Sequence, residues 1–278
     1  MDIHDAGPLE VLFIVYKKRD TVKRSAGSYL VERKGRSLDW NIRKYESLDS
    51  TNLEGRRILD AGKGGDGLVV WALHQTQGMG RLGRDWYDLP GKSLLVSIFL
   101  PGIEGFQAGV LVAVSIRTAI VSSGGTGPRF KWPNDMVYGD GKVGGILSET
   151  FRGERRAGII TGIGLNVGYA AEELSLPAKL PPTSLLIEEK KEWELEQLLT
   201  GFLDEMDRAL LRDWQDSLAD YRHNLAYVGE NVRVGNHSLA GEADTFQGII
   251  KGVDESGRLL LQVEGRTLVL ASGDIMPV

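Results

Sequence analysis

Apolar and polar residues change rhythm along this chain, and each change marks a different kind of element. Between positions 38 and 226, short apolar, β-branched runs recur at 68–73, 93–100, 145–151 and 159–167. Runs of that length and composition predict strands. The stretch 107–122 stays apolar for longer than a strand needs and predicts a buried helix. From 193 to 221, Leu195, Leu198, Leu199, Phe202, Leu203, Met206, Leu210 and Trp214 recur at three- and four-residue steps. That spacing puts them on one face of a helix, as core residues rather than ligand contacts.

The rhythm shortens after Tyr227. Apolar runs at 232–234, 246–253, 259–263 and 267–270 alternate with turns rich in Gly, Asn, Asp and Glu. The pattern predicts a small antiparallel barrel of about 50 residues, with a domain boundary near 225–230. At the other end, 1–37 holds a strand-like piece at 11–16 and then a basic stretch with Lys17, Lys18, Arg19, Lys23 and Arg24, and Gly27 and Gly35 interrupt the chain beyond it. Such a charge run reads as solvated surface, and the extension receives no assigned role. The expected partition is an N-terminal extension at 1–37, a mixed α/β (α+β) domain at 38–226 and a small β-domain at 227–278.

Composition narrows the functions open to this chain. Its 278 residues suit one large domain and a small one, and 42% hydrophobic with 26% charged residues is ordinary for a protein with a sizeable core. A net charge of −5 argues against a general nucleic-acid binder, whose affinity comes largely from Lys and Arg on phosphates. The chain has no cysteine, so disulfides, thiolate nucleophiles and cysteine metal sites are excluded. His4, His74, His223 and His237 are scattered and suggest no metal cluster. The runs 94–100 and 109–121 are too short or too interrupted for the roughly 20 apolar residues of a membrane span. The start, Met1-Asp2-Ile3-His4-Asp5, lacks a basic signal-peptide region. A cytoplasmic location is expected.

Three local constellations carry chemistry. Gly78-Met79-Gly80-Arg81-Leu82-Gly83-Arg84 matches G-x-G-x-x-G. The dinucleotide fingerprint also needs a helix immediately after the glycines, whereas this loop runs into Pro90-Gly91. The Rossmann reading is therefore rejected. What remains is a glycine loop able to bring backbone N–H groups against an anion. Arg81 and Arg84 are phosphate-matched donors, and Trp86 offers a stacking face. A solvated surface loop would look the same locally.

The second constellation is Lys131-Trp132-Pro133-Asn134-Asp135, followed by Lys142 and Gly144-Gly145-Ile146-Leu147. Asp135 is read either as a magnesium-nucleotide contact or as a partner of Lys131. Asn134 could fix an orientation, and Lys142 could stabilise a developing oxyanion. A turn with charged rims is the structural alternative. The third, Ser50-Thr51-Asn52, opens a helix, with Thr51 and Glu54 matching the capping box S/T-x-x-E. Such a helix start can also face a ligand.

Taken in order, Ser-Thr-Asn, Gln75, the glycine-arginine loop, Trp86, Lys-Trp-Pro-Asn-Asp, Lys142 before Gly-Gly-Ile-Leu, and Gly162-Ile163-Gly164-Leu165-Asn166-Val167 resemble the biotin protein ligases. The resemblance spans roughly 40–278. It implies a catalytic domain with a mixed sheet, related in fold to class II aminoacyl-tRNA synthetases, and an SH3-like C-terminal domain. It implies biotin and ATP with Mg²⁺ as substrates, a biotin carboxyl carrier domain as acceptor, and activation of biotin to biotinyl-5′-AMP before transfer to a carrier lysine. Ser50, Thr51, Asn52, Gln75, Gly80, Arg81, Lys142 and Gly145 are the implied biotin site. Arg84, Trp86, Lys131, Asn134 and Asn166 are the implied nucleotide site. Arg81 and Lys142 carry the catalytic role, and Asp135 gives possible metal support.

The chain departs from the resemblance in two places. The family loop usually reads Gly-Arg-Gly-Arg-Arg-Gly-Arg, and Met79 and Leu82 replace two of its arginines here. The loss of charge implies weaker adenylate capture or altered loop closure. The 37 or so residues ahead of the catalytic part show little helical periodicity. They leave little room for a winged helix-turn-helix, so no operator binding is expected. The resemblance separately implies a homodimer as a possible partner state. The rival readings are a lipoate or octanoate ligase on the same fold, with cysteine-dependent octanoyl transfer excluded, and a non-catalytic biotin-binding regulator.

Overall fold

The computed structural model describes the backbone of 12–16 and residues 38–174, 180–237 and 243–278. The basic stretch 17–24 and the glycines at 27 and 35 lie outside the described residues, as do His4 and the side chain of His237.

An eight-stranded mixed sheet organises the larger part. It contains β1 (Leu12–Tyr16), β2 (Trp40–Tyr45), β3 (Leu68–Ala72), β6 (Ser93–Pro101), β7 (Arg129–Lys131), β8 (Asp135–Tyr138), β9 (Gly141–Arg152) and β10 (Ala157–Asn166), in the order β1-β2-β3-β6-β10-β9-β8-β7. Two two-residue strands, β4 (Gly78–Met79) and β5 (Asp85–Trp86), form a separate ribbon. The β2–β3 pair is parallel and the other pairings are antiparallel. Helix α1 (Thr51–Asp60) makes the crossover that this parallel pair requires.

β6 lies at the centre, and only its last residue is not buried. Its side chains alternate between two apolar clusters. Leu94, Val96, Ile98 and Leu100 face the cluster that holds α2 (Gly105–Ser122), α4 (Leu195–Leu211) and α5 (Trp214–His223). Phe99 faces the smaller cluster under α1, with Ile58, Leu59 and Ile160. This two-sided burial explains why the strand reads as a continuous apolar run. By length and composition α2 could cross a membrane, which extends past the interrupted run seen in the sequence. Val110, Val112, Ile116 and Ile120 of α2 are buried in the larger cluster, as in a core helix.

Two sequence expectations change. The single helix expected over 193–221 is two, α4 and α5, because Asp213 caps the second by accepting from Gln215 N at 2.8 Å. The capping box at α1 does not form: its N-cap is Ser50, without a side-chain cap bond. Glu54 instead accepts from Tyr45 Oη at 3.0 Å. A short helix, α3 (Leu185–Glu189), precedes α4.

The chain after α5 forms an antiparallel five-stranded sheet of β11 (Asn231–His237), β12 (Ala243–Val253), β13 (Leu259–Val263), β14 (Arg266–Leu270) and β15 (Asp274–Pro277), ordered β14-β13-β12-β11-β15. β15 carries no apolar run long enough to announce it in the sequence. Trp132, 1% exposed, donates from Nε1 to Gly257 O at 2.9 Å and ties this sheet to the larger one. Arg222 Nε adds a bond to Val253 O at 3.0 Å. The apolar cluster runs on from the larger part into Val232, Val234, Leu259 and Leu261.

Candidate active site

The site is built on the α1 face of the large sheet, where glycines remove the side chains. Gly145 of β9 pairs with Gly164 of β10, and Gly162 lies two residues earlier on the same face. A Cβ on Gly162 would fall 2.5 Å from Asn52 Oδ1, and one on Gly164 would fall 2.6 Å from the Trp86 ring. A Cβ on Gly145 would sit 3.6 Å from Lys142 Nζ. The three glycines therefore form a floor against which a polar helix start, an indole and an ammonium all rest.

At one end of the floor lies a polar network from the N-terminus of α1. Gln75 Oε1 accepts from Thr51 N at 2.8 Å and from Thr51 Oγ1 at 3.0 Å. Ser97 Oγ lies 2.7 Å from Thr51 Oγ1 and 2.6 Å from Asn52 Oδ1. Asn52 donates through Nδ2 to Glu149 Oε2 at 2.6 Å. Gln75 is held in turn by its backbone N–H on Asp88 Oδ1 at 3.2 Å, and His74 Nδ1 lies 2.9 Å from the other oxygen of Asp88. The arrangement suits a small, neutral, polar ring system.

Positive charge gathers at the other end. Asp135 bridges two lysines, with Oδ1 2.7 Å from Lys142 Nζ and Oδ2 3.3 Å from Lys131 Nζ. Arg81 Nη1 reaches Asn134 Oδ1 at 3.2 Å, so Arg81 and Lys142 flank adjacent residues of the same turn. The Trp132–Pro133 peptide just before that turn is cis. Lys142 Nζ also lies 5.8 Å from the Trp86 ring centroid. Burial pushes the Arg81 guanidinium below its usual range, while Asp274 and Asp135 pull the other way. An arginine remains charged near neutrality even so.

The glycine-arginine loop is a hairpin. Gly78 pairs with Trp86 and Met79 with Asp85, and a 3₁₀ turn spans Arg81–Gly83. No helix follows, in line with rejection of the dinucleotide fingerprint. Arg84 Nη2 bonds Asp274 Oδ2 at 2.6 Å, and Arg81 Nη1 lies 3.6 Å from Asp274 Oδ1. Burial alone would raise the Asp274 carboxyl. The hydrogen bond and charge of Arg84, backed by Arg81 and Lys131, outweigh it and bring the group down to about 2.

Two family models match this chain: the biotin/lipoate A/B protein ligase family over 46–166 and the biotin protein ligase C-terminal domain over 228–276. A biotin–[acetyl-CoA-carboxylase] ligase of Mycobacterium tuberculosis is 32% identical over 241 residues, covering 82% of this chain and 85% of that protein. The chain belongs to the biotin protein ligase family. A ligase of the same name from Paracoccus denitrificans is 30% identical over 239 residues, covering 82% of this chain and 96% of that one. The fold matches that of the Aquifex aeolicus biotin protein ligase in complex with biotin and ATP, at a TM-score of 0.69 and 24% identity over 84% of this chain and 97% of that one.

Within this ligase the residues of the sequence motifs fall into the two groups just described. Thr51, Asn52 and Gln75 meet in the polar network, with the buried Ser50 beside them as N-cap of α1. Arg81, Lys131, Asn134, Asp135 and Lys142 meet around the turn. Gly145, Gly164 and Trp86 lie between them, and Gly80, N-cap of the 3₁₀ turn, donates its N–H to Arg84 O at 2.7 Å. Asn166 stands apart: it is buried and spends its amide on Thr183 O at 3.0 Å. Lys142 does not precede the strand but belongs to it, in β9. Ser97 and Asp274 escaped the sequence reading. Ser97 sits inside an apolar run, and Asp274 lies 190 residues from the arginine it holds.

Proposed function

We propose that this ligase activates biotin with ATP as biotinyl-5′-AMP and transfers the biotinyl group to a lysine of a biotin carboxyl carrier domain. The observation that carries this reading is the approach of Arg81 and Lys142 to one turn, Asn134–Asp135, at the end of the glycine floor. The names of the ligase relatives favour biotin as the acid and a carboxylase as the acceptor. The complex of the structurally similar protein favours ATP as the second substrate.

In the first step a biotin carboxylate oxygen attacks the α-phosphorus of ATP, and the bond to pyrophosphate breaks. Two unit negative charges about 4 Å apart repel by roughly 4 kcal/mol at an effective dielectric near 20. Arg81 and Lys142 would offset that repulsion while holding the two anions in line. In the second step the carrier amine attacks the carbonyl of the mixed anhydride, AMP leaves, and the amine loses its proton. No protein nucleophile takes part.

The Thr51–Gln75–Ser97 network would take the biotin rings. Trp86, Arg84 and Asn134 would take the nucleotide. Asn166 would act from behind, by fixing residue 183. Asp135 fits magnesium poorly, because both of its oxygens face ammonium groups. Among the described residues no cluster of His, Asp or Glu offers a metal site. Mg²⁺ is better placed as part of the nucleotide substrate, on its phosphates. Residues 38–226 would form the catalytic domain and 227–278 an SH3-like domain.

The test is pyrophosphate release with ATP and each of biotin, lipoate and octanoate, followed by transfer to a purified biotin carboxyl carrier domain. Biotin-dependent release with carrier labelling is the expected result. Release with lipoate alone would overturn the substrate, and release without labelling would make the protein a biotin-binding regulator.

A further inference from the structure

Ten large hydrophobic side chains are exposed among the described residues, and four of them, Met79, Leu82, Tyr87 and Leu89, fall within eleven residues of sequence. All four belong to the hairpin that roofs the site or to the irregular segment leaving it. The two arginines of the same hairpin reach inward, Arg81 to Asn134 and Arg84 to Asp274, while the exposed Asp85 accepts from Tyr87 Oη at 3.1 Å. The roof thus has its guanidinium contacts on the underside and exposes four large apolar side chains, with Asp85 and the outer part of Arg84 among them. Exposed apolar clusters of this kind mark protein contacts.

Leu82 adds a second observation. It is 61% exposed and holds a left-handed backbone, φ 59° and ψ 30°. A branched side chain is disfavoured there, and glycine or asparagine would sit at less cost. Neither packing nor backbone geometry calls for leucine at this tip.

We propose that Met79 and Leu82, with Tyr87 beside them, form the docking surface for the folded carrier domain that presents the acceptor lysine; this rests on the ligase reading above. The geometry of transfer favours that occupant. A lysine stem is four carbons long, so a carrier whose amine reaches the anhydride near Arg81 and Lys142 must bring its own backbone close to the roof. Its surface around the lysine then covers the tip. Because Met79 and Leu82 offer thioether and isobutyl groups, the carrier surface that meets them is apolar. The two missing arginines of this loop are, on this account, a specificity feature of the second half-reaction.

The experiment uses the full chain and the double variant Met79→Gln/Leu82→Asn, in which asparagine keeps the left-handed backbone accessible. Val269→Thr, on the exposed face of the C-terminal sheet, serves as a control. Three rates are measured: biotin-dependent pyrophosphate release, attack on the bound intermediate by hydroxylamine, and transfer to the purified carrier domain. The double variant should keep the first two within about twofold of wild type. Its kcat/KM for the carrier should fall about tenfold or more through KM, as for loss of central apolar contacts, while Val269→Thr leaves it unchanged. Unchanged carrier kinetics in the double variant would overturn the proposal. So would faster escape of the adenylate, which would make the tip a lid over the intermediate. A wild-type dimer that the double variant dissociates would assign the surface to a second copy, again against the proposal. If the wild-type chain releases no pyrophosphate with biotin, the ligase mechanism itself fails, a separate outcome.

Discussion

Arg84 of the glycine-arginine hairpin bonds Asp274 on the last strand at 2.6 Å, so the roof of the site is tied to the C-terminal sheet. The carboxylate lies between the guanidinium groups of Arg81 and Arg84. Removing its charge should loosen the hairpin. In Asp274→Asn, amide exchange over 79–86 should speed up by about fivefold, the loss of roughly 1 kcal/mol for a charged bond whose arginine is half exposed. Adding biotin and ATP should restore protection. Exchange as slow as in wild type would show that Asp274 does not restrain the loop.

The same contact has a pH signature. The folded carboxyl titrates at about 2, below its ordinary 3.8. A depressed carboxyl contributes stability that is complete above the unfolded value and disappears as pH falls through the folded one. The stability difference between wild type and Asp274→Asn should therefore be constant from neutrality to about pH 5 and shrink between pH 4 and 2. A difference that vanishes near pH 6 would point to another group.

Asp135 is the counter-ion of a buried lysine, since Lys131 is only 4% exposed. Asp135→Asn leaves that ammonium unpaired and should cost about 3 kcal/mol in urea unfolding, together with most of the adenylation rate through the displaced Lys142. If stability drops by less than 0.5 kcal/mol (about the scatter for neutral surface changes), the bridge is not structural.

Two of the three floor glycines, Gly162 and Gly164, should discriminate between the two substrates. Gly162→Ala would drive a methyl against Asn52 Oδ1 and should weaken biotin binding about tenfold, or 1.4 kcal/mol, with little effect on ATP. Gly164→Ala would drive one into the Trp86 ring and should do the reverse. Calorimetric titration of each variant with each ligand checks the assignment, and equal effects of both changes on both ligands would dissolve the proposed division of the floor.

Arg81→Gly should still form adenylate but lose it early, with about 1.5–3 kcal/mol of affinity gone with one charged hydrogen bond. Lys142→Ala should instead slow formation itself, by about 10²–10³, as for removal of a group that meets transition-state charge. Single-turnover measurements with trapped intermediate distinguish the two. Wild-type retention of adenylate by Arg81→Gly would remove Arg81 from the site.

Several elements were legible because they are governed by local pattern. The apolar runs gave β3, β6 and β10 to within two residues at each end, and the three- and four-residue spacing found the buried face of α4. The break before α5 was not legible, because a single aspartate at 213 interrupts a periodicity that continues past it. The capping box failed for a related reason. Glu54 had a tertiary partner in Tyr45 that no local motif encodes. Of the site, the ordered motifs were visible, but Ser97 was hidden in an apolar strand and Asn166 was credited with a ligand role its buried amide does not directly support.

The order of residues by itself determined the longer apolar strands, the main helices, the family and the set of charged and amide groups available for chemistry, because these depend on short-range periodicity and on motif order. Only the folded molecule decided which of those groups meet. Pleating placed Gly145, Gly162 and Gly164 on one face, and the sheet brought Lys142 beside Asp135. Docking of the last strand set Asp274 against Arg84. Contacts across so long a stretch of chain are fixed by packing, and no local spacing specifies them.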